Sequence, residues 1–208
     1  MEITIISDTH GLHEELRLKK GDLLIHAGDI TEYGTKEETS DFLNWFTGQP
    51  FTHKIFIAGN HDLFFEESSE ATIKELIPKN IIYLQNTGIE VNGLKIWGSP
   101  VTPHFLGMAF NEKEGIKKVW NKIPASTDIL ITHGPPNGIM DEGIGCIELL
   151  NRVKKIKPLL HCYGHAHGVS GCETIGNVNF INSALVNTLD PLKNELYKIN
   201  AKPIIFEI

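Results

Sequence analysis

Ile3-Thr4-Ile5-Ile6-Ser7-Asp8-Thr9-His10 begins as an apolar, β-branched run and ends on polar side chains that include a carboxylate and an imidazole. The same figure recurs four more times. Asp22 to Ala27 (DLLIHA) runs into Gly28-Asp29, and Lys54 to Ala58 (KIFIA) runs into Gly59-Asn60-His61-Asp62. Asp128 to Ile131 (DILI) runs into Thr132-His133-Gly134, and Pro158 to Tyr163 (PLLHCY) into Gly164-His165-Ala166-His167. Nearly continuous apolar runs of this length are expected for strands covered on both faces, the signature of a parallel sheet. In open α/β sheets the carboxyl ends of such strands are where ligands bind.

Between the runs lie segments of helical period. Thr35-Lys36-Glu37-Glu38 matches a capping box, with Phe42, Leu43 and Phe46 following on one face. Asn111 to Glu114 reads as a second cap, before Ile116, Val119, Trp120 and Ile123. Ile144 to Ile156 reads as a helix with Ile147, Leu149, Leu150 and Val153 on its stripe, and a short helix around Ser69 to Ile77 stops at Pro78. Asn92-Gly93 and Gly176-Asn177 each sit between two short apolar runs, the pattern of two-residue hairpins. Ile204 to Ile208 reads as a closing strand. The fold class is therefore α/β, a parallel portion with added antiparallel hairpins.

The 208 residues carry 19 Lys+Arg against 26 Asp+Glu, a net charge of −7, with 41% hydrophobic residues. That balance is globular, not disordered, and the length suits one domain over 1–208. No apolar run is long enough to span a bilayer, and the first strand starts too early for a signal peptide. Cys146, Cys162 and Cys172 are too few for a disulfide framework, so we expect buried thiols and a cytoplasmic protein. Acidic pairs such as Glu37-Glu38 and Glu66-Glu67 read as solvated faces.

Five of the ten histidines fall in the strand-end turns. One such histidine would be unremarkable in a core or on a surface. Asp8 and His10 are two apart, as are His165 and His167, so each pair can face one way from extended backbone. Carboxylates, imidazoles and an amide oxygen without thiolate suit Mn, Fe or Zn. Asp8, His10, Asp29, Asn60, His133, His165 and His167 are too many for one tetrahedral ion and about right for two ions. Asp29 is the natural bridge, dividing its two oxygens between them. The glycines allow close approach of backbone to the ions.

Read as ordered blocks (D-x-H, G-D, G-N-H-D, a histidine block and G-H-x-H), these residues resemble the calcineurin-like metallophosphoesterases. Gly98-Ser99-Pro100, Thr102-Pro103, Phe110-Asn111, Thr132-His133-Gly134-Pro135-Pro136 and Gly145 to Leu150 further resemble the MPPED group of small single-domain members. The resemblance implies a four-layer αββα sandwich of two mixed β-sheets. It implies one metal on Asp8, His10, Asp29 and His167, and another on Asp29, Asn60, His133 and His165. His61 would stand at the leaving oxygen, oriented by Asp62, and Asn60 and His61 would touch substrate. Val101, His104 and Met108 depart from the aromatic residues expected in the Ser-Pro loop, where His104 is a candidate substrate contact.

Two divalent ions roughly 3.5–4 Å apart can hold a phosphoryl oxygen each and supply a hydroxide at neutral pH. Two such ions, with Asp8, Asp29 and a hydroxide, leave one positive charge, which matches a phosphodiester monoanion better than a monoester dianion. The expected function is thus metal-dependent phosphodiester hydrolysis, with Mn²⁺ favoured and cyclic nucleotides the leading class by resemblance. Nuclease and phosphomonoesterase activities use the same centre, but the acidic charge counts against strong polynucleotide binding. Lys117, Lys118, Lys154, Lys155 and Lys157 offer a local basic patch on helices that need not face the site. A non-catalytic protein-binding scaffold of the same fold is the remaining alternative, disfavoured because every ligand position is present. His26 and His161, inside strands just before the motif turns, read as structural residues or outer partners of the site.

Overall fold

The computed structural model describes residues 1–188 and 197–208. The strands are, in chain order, β1 (Glu2–Ile6), β2 (Gly21–Ala27), β3 (Phe51–Ile57), β4 (Ile82–Tyr83), β5 (Thr87–Val91), β6 (Leu94–Ser99), β7 (Thr102–Pro103) and β8 (Asn111–Glu112). They continue with β9 (Ile129–Thr132), β10 (Leu160–Tyr163), β11 (Gly171–Ile175), β12 (Val178–Asn182), β13 (Val186–Thr188), β14 (Tyr197–Ile199) and β15 (Ile204–Glu207). The helices are α1 (Lys36–Thr47), α2 (Leu63–Glu67), α3 (Glu70–Leu76), α4 (Ile116–Asn121) and α5 (Ile147–Ile156).

Two large mixed sheets stack face to face, ordered β15-β1-β2-β3-β4 and β11-β12-β10-β9-β6-β5. Within the first, Ile5 is level with Ile25 and Ile25 with Ile55 in parallel register, while β15 closes the edge antiparallel to β1. In the second, β12, β10, β9 and β6 run parallel, and β5 and β11 add the antiparallel arms of the two hairpins. Both hairpin turns enter the left-handed region, at Asn92-Gly93 and at Gly176.

The period-2 alternation of each strand divides its side chains between two layers. Ile3, Ile5, Leu23, Ile25, Ile55 and Ile57 meet Ile96, Ile129, Ile131, Leu160, Cys162 and Ile181 between the sheets. Their neighbours Ile6, Leu24 and Phe56 face outward under Phe42, Phe46, Phe65 and Ile73 of α1 to α3. On the far side Trp97, Leu130, Tyr163 and Phe180 lie under Trp120, Leu149, Leu150 and Val153 of α4 and α5. Three apolar interlayers separate four layers, the αββα sandwich. This explains why the central strands carry no polar face.

The capping box at Thr35 forms as expected, with Glu38 N donating to Thr35 Oγ1 at 3.1 Å and Thr35 N to Glu38 Oε2 at 3.0 Å. Other local expectations change. α5 begins at Ile147, because Asp141 draws in the amides of Gly138, Gly143 and Gly145 and Cys146 pairs back to Pro135 and Asn137. Ile147 is consequently 52% exposed, and the buried stripe is Leu149, Leu150 and Val153. Asn111 does not cap α4. Its side chain is committed to the loop before it, and Glu112 takes the Glu114 and Gly115 amides instead. Glu66 is not merely solvated, since it accepts from Phe110 N at 2.7 Å. Cys146 and Cys162 are buried, whereas Cys172 is exposed. Lys117, Lys154 and Lys155 gather with Glu148 and Arg152 on the outer α4–α5 surface, away from the strand-end cluster. Among the described residues no helix is long and apolar enough to cross a membrane.

Candidate metal centre

The carboxyl ends of β1, β2 and β3 in one sheet and of β9 and β10 in the other open on the same side of the sandwich, and their turns are tied together. Asp8 N donates to Gly28 O at 2.9 Å, and His10 N to Asp29 O at 3.1 Å. Hydrogen bonds also cross between the sheets, among them His133 Nδ1 to Ala27 O at 3.0 Å and His165 N to Asp8 Oδ1 at 3.1 Å. A Cβ on Gly28 would strike the His133 ring, and one on Gly164 would overlap the Asp8 carboxylate and Ser7. Asp8, His10, Asp29 and His165 all have positive φ although none is glycine. Such backbone strain persists where the surrounding structure over-determines it, as here.

All seven side chains singled out from the sequence come together. The ligand atoms of Asp8, His10, Asp29 and His167 lie within 4.8 Å of one another, and so do those of Asp29, His133 and His165. Asn60 Oδ1 joins the second group, 2.9 Å from His133 Nε2. Asp29 belongs to both groups. Its Oδ1 accepts from the His61 amide at 2.9 Å, and its Oδ2 stands between His133 Nε2 at 3.2 Å and His10 Nε2 at 3.7 Å.

The donor set fits divalent cations. His133 Nδ1 must donate to the Ala27 carbonyl and His10 Nδ1 donates to Glu32 Oε2 at 3.0 Å, so each ring turns its Nε2 toward Asp29. His10 Nε2 is buried and makes no hydrogen bond, an orphan that a metal ion would satisfy. Burial alone would raise Asp8 and Asp29, yet the surrounding imidazoles hold both below the usual carboxylate range. Conversely, burial would lower His133, and the Asp29 carboxylate outweighs it, raising the ring to about 9. In that state an imidazolium proton occupies ground between buried anions where a cation is wanted.

The calcineurin-like phosphoesterase family profile matches residues 1–169. The chain belongs to that family. This calcineurin-like phosphoesterase is 38% identical over 210 residues to metallophosphoesterase domain-containing protein 1 of Homo sapiens, covering 86% of this chain and 64% of the relative. It thus spans about two thirds of that protein's length. It is 34% identical over 226 residues to UPF0046 protein K07C11.7 of Caenorhabditis elegans, covering 100% of this chain and 75% of the relative. Among solved structures, that of TT1561 of Thermus thermophilus shares the fold at a TM-score of 0.59 and 14% identity, covering 96% and 97% of the two chains.

Three parts of the phosphoesterase site differ from the sequence-based picture. The expected contact of Asp62 with the His61 ring is not made. Buried Asp62 instead accepts from Ile30 N, Thr31 N, Thr31 Oγ1 and Gly59 N at 2.6–3.2 Å, stapling the Asp29 turn to the Asn60 turn. Burial and the Asp29 charge push its carboxyl up to about 6. His61 is oriented by Glu32, whose carbonyl accepts from Nδ1 at 2.9 Å and whose carboxylate stands 3.9 Å away. Glu32 was not anticipated, though its place three residues after Asp29 in the same turn was a signal. Tyr197 is the other unanticipated neighbour, stacked on His10 at 4.0 Å between ring centroids from a strand near the chain end.

His26 and His161 are fully buried and hydrogen-bond threonines next to the candidate ligands. Their Nε2 atoms meet Thr9 Oγ1 at 3.0 Å and Thr132 Oγ1 at 2.9 Å, and burial drives both rings down to about 3. A cavity of about 580 Å³ opens beside the cluster, lined on one side by Asp29, Asn60, His61, His165 and His167. His104 lines it as well, exposed at its mouth.

Proposed function

We propose that this protein hydrolyses phosphodiesters at a two-metal centre, one ion held by Asp8, His10, Asp29 and His167 and the other by Asp29, Asn60, His133 and His165. The observation that carries the reading is Asp29 Oδ2, placed between two converging groups of nitrogen and oxygen donors. Divalent ions bound there, Mn²⁺ by preference with Fe or Zn also suited, supply Lewis acidity toward phosphoryl oxygens and a nucleophile at neutral pH.

The chain's own part is charge, position and a proton. Asp8, Asp29, Glu32 and a hydroxide would together offset all four positive charges that two divalent ions bring, and Glu142 adds a further carboxylate to the cavity lining, so each negative charge on the ester goes uncompensated. A singly charged diester suits that balance better than a dianionic monoester, and cyclic nucleotides are the leading class by family resemblance. His61 donates Nδ1 to the Glu32 carbonyl, which leaves Nε2 to give a proton to the departing alkoxide. With Asn60 Oδ1 turned to the cluster, 2.9 Å from His133 Nε2, its amide N–H groups are left to donate to a phosphoryl oxygen beside the adjacent His61. Three unpaired cysteines among the described residues support a reducing compartment, the cytoplasm.

The test is hydrolysis of bis-p-nitrophenyl phosphate and p-nitrophenyl phosphate in parallel, with Mn²⁺ and then with EDTA. Chelator-sensitive turnover with the diester preferred is expected. Preference for the monoester would make the protein a phosphatase, and no chelator-sensitive turnover would favour a binding scaffold. His61→Ala should keep its metal and lose roughly 10²–10⁴-fold in turnover, most on esters with poor leaving groups. Equal losses on activated and unactivated esters would remove the proton-donor role.

A further inference from the structure

The cavity beside the metal cluster has a second wall, and it is apolar: Pro103, Phe105, Leu106, Met108 and Ile144. Phe105 is 58% exposed, Leu106 80% and Ile144 42%, large apolar side chains left open at the mouth of a polar site. Scattered exposed apolar residues need no explanation, but a contiguous group bordering a cavity marks a binding surface.

The wall is a built feature. β7 and β8 pair to close the base of the loop, and Asn111 locks it by accepting from Phe105 N at 2.7 Å and donating to Thr102 Oγ1 and Ala109 O. Leu106 and Gly107 take left-handed backbone, which turns the chain sharply at the tip. The returning strand is fastened to the site itself, with Ala109 N donating to Asn60 O at 3.0 Å and Phe110 N to Glu66 Oε1. Ile144 reaches the same cavity on the turn that Asp141 holds out of α5.

The lining is equally informative in what it lacks. Among the described lining residues there is no lysine or arginine, and Glu142 adds negative charge at the wall. Apart from the histidines and the metal centre, none of those described lining residues would hold a second phosphate.

We infer that Phe105, Leu106, Met108 and Ile144 form a subsite for an uncharged, largely apolar organic group, so that the preferred ligand carries a single phosphodiester charge beside an apolar alcohol substituent. This deepens the phosphodiesterase reading and rests on it for the position of the phosphate. Polyphosphates and polynucleotides are disfavoured by the same lining.

The test measures binding of dimethyl and dibutyl phosphate, two symmetric monoanionic diesters, to the Mn²⁺-loaded protein by calorimetry. If one butyl chain enters the subsite, burying its three extra methylenes should tighten binding by roughly tenfold to fiftyfold. Phe105→Ser and Leu106→Ser, at exposed positions that leave the core intact, should reduce that ratio to less than about threefold. A wild-type ratio near one, or a ratio unchanged in both variants, would overturn the subsite. Turnover of bis-p-nitrophenyl phosphate, followed separately, distinguishes the two failures. Turnover without chain-length preference removes the subsite alone. Chain-length preference without turnover leaves the subsite and removes the phosphodiesterase reading.

Discussion

A single oxygen, Asp29 Oδ2, stands where the two donor groups meet, because the His61 amide takes the other oxygen. Asp29→Asn removes the charge and leaves the amide to choose between its oxygen and its nitrogen at that point. Both ions should therefore be lost together, with affinity falling beyond the roughly 10–100-fold typical of removing an outer partner. Metal analysis finding two ions at wild-type affinity would remove the bridge. The buried histidines make a different kind of statement. Thr132 Oγ1 donates to Gly134 O, so His161 Nε2 must donate to Thr132, and His161 Nδ1 is buried without a partner. The ring is held neutral, its pKa at about 3 instead of about 6.5. Below 6.5 the unfolded chain binds a proton that the folded ring refuses, so stability falls as pH drops from 6.5 toward 3. His161→Gln keeps a donor for Thr132 without a titrating ring. Urea unfolding in EDTA should show a smaller loss of stability between about pH 7 and pH 4.5 than in the wild type, and an unchanged loss would exclude His161 as its source.

Elements ended where local hydrogen bonding dictated, and that is where sequence reading was strongest and weakest. The hairpins at Asn92-Gly93 and Gly176-Asn177 and the cap at Thr35 were legible because each depends on residues a few positions apart. The start of α5 was not, because the residues that hold Ile144 to Cys146 out of the helix are set by Asp141 and by pairing to Pro135 and Asn137. Asn111 looked like a cap for the same reason; its side chain is engaged by a loop that composition does not reveal. The turn after β10 shows how an element delivers a ligand. Gly164 passes so close to Ser7 and Asp8 that no side chain fits. Gly164→Ala should displace the Asp8 carboxylate, destabilise the fold by about 1–3 kcal/mol and weaken metal binding. Calorimetric unfolding and metal titration read the two effects, and a variant with wild-type values for both would mean the turn yields freely.

At the scale of the whole molecule, the candidate metal ligands straddle the sandwich. Asp8, Asp29 and Asn60 come from one sheet, and His133, His165 and His167 from the other. Ions bound there would fasten the sheets to each other at their carboxyl edge, on top of the isoleucine-rich layer between them. Mn²⁺ at about a thousand times its dissociation constant should stabilise the protein by about 4 kcal/mol for each ion bound, raising the unfolding temperature in a concentration-dependent way that EDTA reverses. Absence of any shift would mean that the two groups do not bind ions in the folded state. The sequence by itself determined the strands, the hairpins and the identity of the clustered side chains, and the family resemblance carried by its motifs implied the four layers. Parallel strands buried on both faces must be apolar throughout, so polar residues can gather only where those strands stop. Tertiary structure alone decided how those side chains are held and what surrounds them. Glu32 orients His61, Asp62 turns away to staple two loops, Tyr197 stacks on His10 from the far end of the chain, and an apolar wall faces the cluster. These are contacts between groups brought together by packing, and nothing in the local periodicity of a chain encodes which distant residue arrives.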